Sequence, residues 1–348
     1  MDENQAKEDE EIQAQVLIWK YMYGFAETVM LRCALLLGLP DIIHQHGPMT
    51  LAQLASELPL SSVDINRFHH VMRYLVHMKL FTTTFQTTGE ETYSATAASD
   101  LLLKDHEQSL SSYAMLQTHP ETFSMWTHIN ESLDGSQAYW VSTYGASLYD
   151  KIENEPVHKK MVNDAMTSHT RSMSRALVSG LAKERLLDGV RSLVDVGGNS
   201  GQAAKAIKGS FPDVKCTVMD LAHVIDSVEH DPDLDFLPGD MFTMVPKADV
   251  ILAKSILHNY EDDDCLKILT KCKEAIPEGK LILVEIVLDA KNLQELSFAR
   301  LGMDMEMICM GGKERTKQEW DDLLKKVGFS QYKIIPMMAI ESILVAYP

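Results

Sequence analysis

The stretch Ser192-Leu-Val-Asp-Val-Gly-Gly-Asn-Ser-Gly201 constrains the fold more than any other: a short apolar strand, an acid, then a glycine-rich turn. Leu193, Val194 and Val196 read as a buried parallel strand, and the glycines allow the backbone to approach a ligand closely. From Gly201 the run Gln202-Ala-Ala-Lys-Ala-Ile-Lys208 reads as a helix whose N-terminus points at whatever lies on the turn. A second strand, Val214–Met219, ends in Asp220. An acid about 20 residues past the glycines is where doubly wound folds hold a ribose diol, so a nucleoside cofactor is expected.

The spacing bears on which cofactor. A nicotinamide fingerprint needs Gly-x-Gly-x-x-Gly, but counting from Gly197 puts Asn199 and Gln202 at the second and third glycine positions. Asp195-x-Gly197-x-x-x-Gly201 instead resembles the S-adenosylmethionine loop of class I methyltransferases. On the loop alone, a dehydrogenase and a merely structural glycine turn remain as competing readings.

Strands and helices alternate from Ser192 onward. Leu193–Val196, Val214–Met219, Asp249–Ala253 and Leu281–Val287 are the expected parallel strands, with a helix after each of the first three. Tyr332–Met337 and Ser342–Ala346 are expected as an antiparallel edge pair. Residues 100–190 read as mostly helical, with turn signals at Asp134-Gly135, Gly145 and Pro156.

The amino-terminal third differs. Residues 1–11 read as a disordered acidic tail. A helix is expected over Ile12–Leu39, with Val16, Trp19, Tyr23, Ala26, Val29, Met30 and Cys33 on one stripe and Gly38 and Pro40 closing it. Thr50–Leu58, Pro59 and Asp64–Met78 read as helix, turn, helix, and Thr82–Thr96 as a small hairpin. That order is a winged helix, which serves DNA binding or dimerisation. A net charge of −18 over 348 residues argues for dimerisation, because nucleic acid and anionic membranes both demand a basic face. Five scattered cysteines form no zinc pattern, and no apolar run approaches membrane length, so a cytoplasmic protein with free thiols is expected. The acidic start also lacks the form of a signal peptide.

Lys254 and His258 follow the third parallel strand, where open α/β sheets place their ligands. Glu285 lies within the apolar strand, where an ionised carboxylate is costly unless partnered. Glu314 follows Gly311-Gly312-Lys313, just before the capping-box pattern Thr316-Lys-Gln-Glu319.

Together these stretches resemble the plant small-molecule O-methyltransferases, the family of caffeic acid, isoflavone and norcoclaurine O-methyltransferases. The matching segments are Leu193–Gly198, Asp220-Leu221, Gly239-Asp-Met-Phe242, Lys254–His258, Asp264-Cys265 and Gly311–Arg315. With the amino-terminal domain they cover nearly everything from Ile12 to Pro348. The resemblance implies an α/β Rossmann-like class I methyltransferase domain over 116–348, and a mainly helical winged-helix dimerisation domain over 12–115. It implies S-adenosyl-L-methionine as cofactor, a phenolic hydroxyl as acceptor, a homodimer and no metal. Carried over by position, Gly197, Asp220, Leu221, Asp240, Met241 and Lys254 hold the cofactor. His258 is the base, with Glu285 and Glu314 holding its imidazole. Met166, His169, Met303, Asp304 and Met307 line the acceptor pocket, with Phe123 and Trp126 as weaker candidates.

The chain departs from the family at Asn199-Ser200, where Gly-Thr is usual, at Ala222 in place of a common Pro, and at Asn259-Tyr260 in place of Asp-Trp. Asn tolerates a left-handed backbone better than most residues, so the turn can survive. Tyr23-Gly-Phe-Ala and Tyr74–Phe81 look most like isoquinoline-alkaloid members, with flavonoid relatives close behind. Competing expectations are a non-methylating homologue (a decarboxylase or pericyclase) and a non-catalytic subunit of a heterodimer.

Overall fold

The computed structural model describes residues 3–87, 89–133, 155–290 and 294–348, so the expected turns at Asp134-Gly135 and Gly145 lie outside the described residues. The chain divides into two units, Met1–Phe123 and Ser124–Pro348.

In the first unit, α1 runs from Glu3 to Leu36 and takes in the residues expected as a disordered tail. Glu, Gln, Ala and Lys are good helix formers, and acids suit a helix N-terminus, which explains the extension. Gly38, at φ 67°, turns the chain into α2 (Leu39–His46). Then come β1 (Met49–Thr50), α3 (Leu51–Glu57), α4 (Ile65–His77), β2 (Phe81–Phe85), β3 (Glu91–Ala95), α5 (Ala97–Asp100) and α6 (Ser111–Gln117). Thr50 and Gln53 form a capping box that starts α3, and Asp64 caps α4. The strands pair antiparallel in the order β1-β3-β2, which completes the expected helix-turn-helix and wing. Ala34, Leu39, Leu54, Met72, Leu75 and Phe81 form the core. The early part of α1 takes no share in it: Val16, Trp19 and Tyr23 are 56%, 56% and 58% exposed.

The helix α7 spans Pro120–Trp126. In the second unit α8 (Pro156–Lys183) starts at Pro156, whose fixed φ suits the first turn of a helix. There follow β4 (Ser192–Val196), α9 (Gln202–Ser210), β5 (Lys215–Asp220), α10 (Ala222–Ile225), β6 (Asp235–Pro238) and β7 (Val250–Lys254). The chain continues through α11 (Asp262–Ala275), β8 (Lys280–Ile286), α12 (Ser297–Met310), α13 (Lys317–Val327), β9 (Gln331–Pro336) and β10 (Glu341–Tyr347). The seven strands are ordered β6-β5-β4-β7-β8-β10-β9. Those from β6 to β8 are parallel, and β10 runs antiparallel to both β8 and β9. The edge strand β6 was not anticipated, because Asp235-Phe-Leu-Pro238 is too short to show a period. The helix expected after β5 is a single turn.

Side chains alternate across the sheet. Leu193, Leu252, Val284 and Ile343 face α8 and α9, while Val194, Ala253, Leu283 and Leu344 face α11 and α13. Among the described residues no helix is long and apolar enough to cross a membrane. Gly180 sets the approach of α8 to β10, since a Cβ there would stand 2.8 Å from Ile343 Cδ1. Gly180→Val should therefore overpack this seam, costing about 1–3 kcal/mol and lowering the calorimetric Tm.

Candidate active site

Strands β4 and β7 are neighbours, yet the chain leaves them toward opposite edges of the sheet. Such a switch point opens a crevice beyond the carboxyl ends of the strands, and there the expected site residues gather. After β4 the backbone turns left-handed at Gly197 (φ 68°), Asn199 (φ 50°) and Gly201 (φ 75°). At its φ any side chain on Gly197 would be strained, and a Cβ there would also displace Ile256 Cδ1, 2.4 Å away. Asn199 fits the turn, and its amide donates to Asp220 Oδ2 at 2.9 Å. Its side chain donates to Asn163 Oδ1, and Ser200 Oγ lies 3.2 Å from Thr167 Oγ1. The two departures from the family turn thus tie it to α8.

Asp220 also accepts from the amide of Leu221, itself exposed, and burial raises the Asp220 carboxyl above its usual range. Asp195 is buried beneath the turn. Burial pushes its carboxyl up to about 7 against the pull of Lys254, and its Oδ2 has no hydrogen-bond partner among the described residues. Asp240 accepts from the amide of Phe242, and Met241 packs on the core below. The Tyr260 phenol is raised by burial and by the charges of Asp220 and Asp240, which places these three in one corner.

Past β7, Lys254 Nζ donates to Ser255 Oγ, and Ser255 takes a left-handed φ of 53°. Glu285 Oε1 accepts from the amides of Ile256 (3.0 Å) and Leu257 (2.9 Å), fixing the short 3-10 turn Leu257–Asn259. Buried His258 sits on that turn with Nδ1 at 2.7 Å from Glu314 Oε1. Burial alone would lower the imidazole pKa, but the Glu314 hydrogen bond and the charges of Glu285 and Glu314 outweigh it and raise it. Burial raises Glu285 in turn. Glu314 therefore grips the ring, whereas Glu285 grips the backbone that carries it. Ligand atoms of His258, Glu285 and Glu314 lie within 4.8 Å of one another.

The loop after α12 closes on this turn. A Cβ on Gly312 would fall 2.1 Å from the His258 carbonyl oxygen, and the Lys313 amide donates to that oxygen at 2.9 Å. Asp304 Oδ1 accepts from the amide of Glu314 at 3.1 Å. Arg315, wholly buried, donates to the carbonyls of Leu257 (3.0 Å) and Tyr260 (2.9 Å) and forks onto Asp262. Asn259, where the family has Asp, donates its side-chain amide to the carbonyls of Ser255 and Ile256.

The acceptor candidates divide. Met303, Asp304 and Met307 lie on α12, which packs against the His258 turn. Met166 and His169 lie on α8, where His169 Nε2 approaches Glu341 Oε1 at 3.1 Å. Phe123 and Trp126 are exposed, and the two belong to different units. Sequence reasoning assigned no role to Arg315, Asp262 or Glu341. Arg315 stood in the quoted Gly-Gly-Lys-Glu-Arg segment; for Glu341 there was no signal, because its neighbour is 172 residues away (341 − 169).

The crossing order and the glycine turn define a class I methyltransferase. Residues 126–330 match the O-methyltransferase domain and residues 19–105 the O-methyltransferase dimerisation domain. The chain is 58% identical over 347 residues to columbamine O-methyltransferase of Coptis japonica, covering 99% of each. It is 36% identical to (RS)-norcoclaurine 6-O-methyltransferase of Thalictrum flavum subsp. glaucum, over 97% of this chain and 98% of that one. Human N-acetylserotonin methyltransferase, solved in complex with SAM, shares the fold with a TM-score of 0.84 at 22% identity, over 96% and 97% of the two chains. The protein belongs to the O-methyltransferase family, and S-adenosyl-L-methionine is its methyl donor.

Arg315 carries a local prediction. Arg315→Lys keeps the charge but loses the planar fork, so the fold should lose about 2–3 kcal/mol in denaturant titration, with kcat falling alongside.

Proposed function

We propose that the enzyme methylates a phenolic hydroxyl of a benzylisoquinoline-type alkaloid, with His258 as general base. The observation that carries this is the 2.7 Å contact of His258 Nδ1 with Glu314, which fixes the ring and directs Nε2 away from the carboxylate. A phenol has a pKa near 10 and histidine near 6.5, so unassisted proton transfer costs about 5 kcal/mol. Glu314 and Glu285 favour the imidazolium and lower that cost.

Bound S-adenosyl-L-methionine supplies an electrophilic methyl group on a sulfonium. The turn suits it in that Asp195, buried beneath it, keeps an unpartnered oxygen. Gly197, Asp220, Leu221, Asp240, Met241 and Lys254 are the residues assigned to hold it. Met166, His169, Met303, Asp304 and Met307 are assigned to the acceptor, because methionine grips flat rings of varied shape. Asp304 acts there through the Glu314 amide. Holding oxygen and methyl at about 3 Å then accounts for much of the rate.

The relatives that methylate columbamine and norcoclaurine support the alkaloid class over flavonoids. An intact His258–Glu314 pair favours methyl transfer over a decarboxylase, a pericyclase or an inactive subunit. A metal is not invoked, because Glu314 already occupies Nδ1. The exposed apolar residues Val16, Trp19 and Tyr23 on α1 support a homodimer through the first unit, and buried free thiols suit the cytoplasm. The acidic chain disfavours nucleic acid and membrane partners.

Methyl transfer from labelled S-adenosylmethionine across a panel of alkaloid and flavonoid phenols tests this reading. Turnover should fall about 10²–10⁴-fold in His258→Ala, with cofactor affinity kept and no effect of excess EDTA on wild type. Loss of cofactor binding together with activity in that variant would argue for a structural role. The base must be neutral, and its folded pKa lies above 6.5, so kcat should rise with pH through a midpoint above that value. Glu314→Gln removes charge that favours the imidazolium, so the midpoint should move to lower pH while the plateau drops. By linkage, the pair stabilises the fold fully below about pH 6.5, and that contribution is lost as pH rises through the folded pKa.

A further inference from the structure

A second histidine–carboxylate pair lies on the sheet face that α8 covers. Side chains alternate along β10, so Glu341 shares a face with Ile343 and Val345, which pack under α8. On α8, His169, Met173, Leu177 and Leu181 recur every fourth residue along one side of the helix. The apolar members meet Ile343 and Val345, and Gly180 lets the helix sit down on Ile343. His169 Nε2 and Glu341 Oε1 meet at 3.1 Å at the carboxyl edge of this seam, their side chains 11% and 2% exposed.

Glu341 is not explained by packing. Its close side-chain partner is His169, whose Nε2 lies 3.1 Å from Oε1 and acts on the carboxylate through charge and hydrogen bonding. Burial would raise its carboxyl, yet His169 and Lys254 together hold it down at about 2. Lys254, at the end of β7, pairs with Val284 and so faces the same side as Glu341, and its charge also acts on Asp195. Acids and bases therefore alternate along this edge as Asp195, Lys254, Glu341 and His169. An apolar side chain at 341 would serve the seam as well as Ile343 and Val345 do, without the desolvation cost of a buried carboxylate.

We propose that Glu341 is a positioning residue for acceptor recognition. By fixing the His169 imidazole against α8 it sets a polar wall that selects acceptors presenting an oxygen to it. This rests on the assignment of His169 to the acceptor side, and it adds a residue that acts on the acceptor through that histidine.

The test uses full-length Glu341→Gln, His169→Gln and the double variant. Acceptor dissociation constants are read by calorimetry, with columbamine or norcoclaurine as probe, whichever wild type binds tighter. S-adenosylhomocysteine is present throughout, so no turnover is needed. Each single variant should weaken acceptor binding about tenfold, and the double should be no weaker than either single, because both act through one contact. S-adenosylhomocysteine affinity should stay within about twofold. A lowered Tm with unchanged acceptor affinity would make the pair a strut between α8 and β10 and overturn the proposal. Weakening in His169→Gln without weakening in Glu341→Gln would also overturn it. A wild type that binds acceptor but never methylates it would sink the general-base reading while leaving this measurement intact.

Discussion

A guanidinium buried as fully as Arg315 must direct its N–H groups at protein atoms, since an unpaired buried charge costs several kcal/mol. Arg315 takes the carbonyls of Leu257 and Tyr260, one on each side of His258–Asn259, and forks onto Asp262 at the head of α11. Its position in the chain is one residue past Glu314. The same contact that locks the His258 turn therefore locks the carboxylate that orients the ring. The Lys313 amide on the His258 carbonyl and the absence of a Cβ at Gly312 draw the two loops together around it. The geometry around His258 is thus set by backbone carbonyls and one buried fork as well as by the side-chain contact with Glu314.

Burial separates the acids of the crevice into distinct roles. Asp195 and Glu285 are pushed up by desolvation, with Glu285 compensated by two backbone amides that favour its charge. Glu341, equally buried, is driven the other way by His169 and Lys254. Glu285 and Glu341 occupy neighbouring strands on opposite faces of the sheet, because Glu341 pairs with Ile286 and not with Glu285. A shift of one residue in that register would exchange the two faces.

The departures from the family pattern are accommodated by new contacts. Asn199 keeps the left-handed turn and reaches Asn163, while Ser200 reaches Thr167. Asn259 places an amide on the carbonyls of Ser255 and Ile256, beside the strained Ser255. Tyr260 still packs edge-on to Phe242 at 5.4 Å, within the field of Asp220 and Asp240.

Much of this was legible in the sequence, because its causes are local. A buried strand is an apolar run, a left-handed turn is Gly or Asn, and an acid at a strand end is two neighbouring letters. So the parallel strands, the wing, the glycine turn and His258 could be read directly. Short or propensity-driven elements escaped: β6 is too brief to show a period, and α1 extends through residues that look like a solvated tail. The sequence by itself determined which chemistry-bearing residues exist and that they follow successive parallel strands, whose carboxyl ends share one edge. Only the tertiary structure decided that Glu314 meets the ring while Glu285 meets the backbone, that Arg315 joins the two loops, and that Glu341 finds His169. Those are contacts between residues 28 to 172 positions apart (285 − 257 and 341 − 169), set by strand register and helix approach. No local pattern of letters records which distant partner a buried charge will meet.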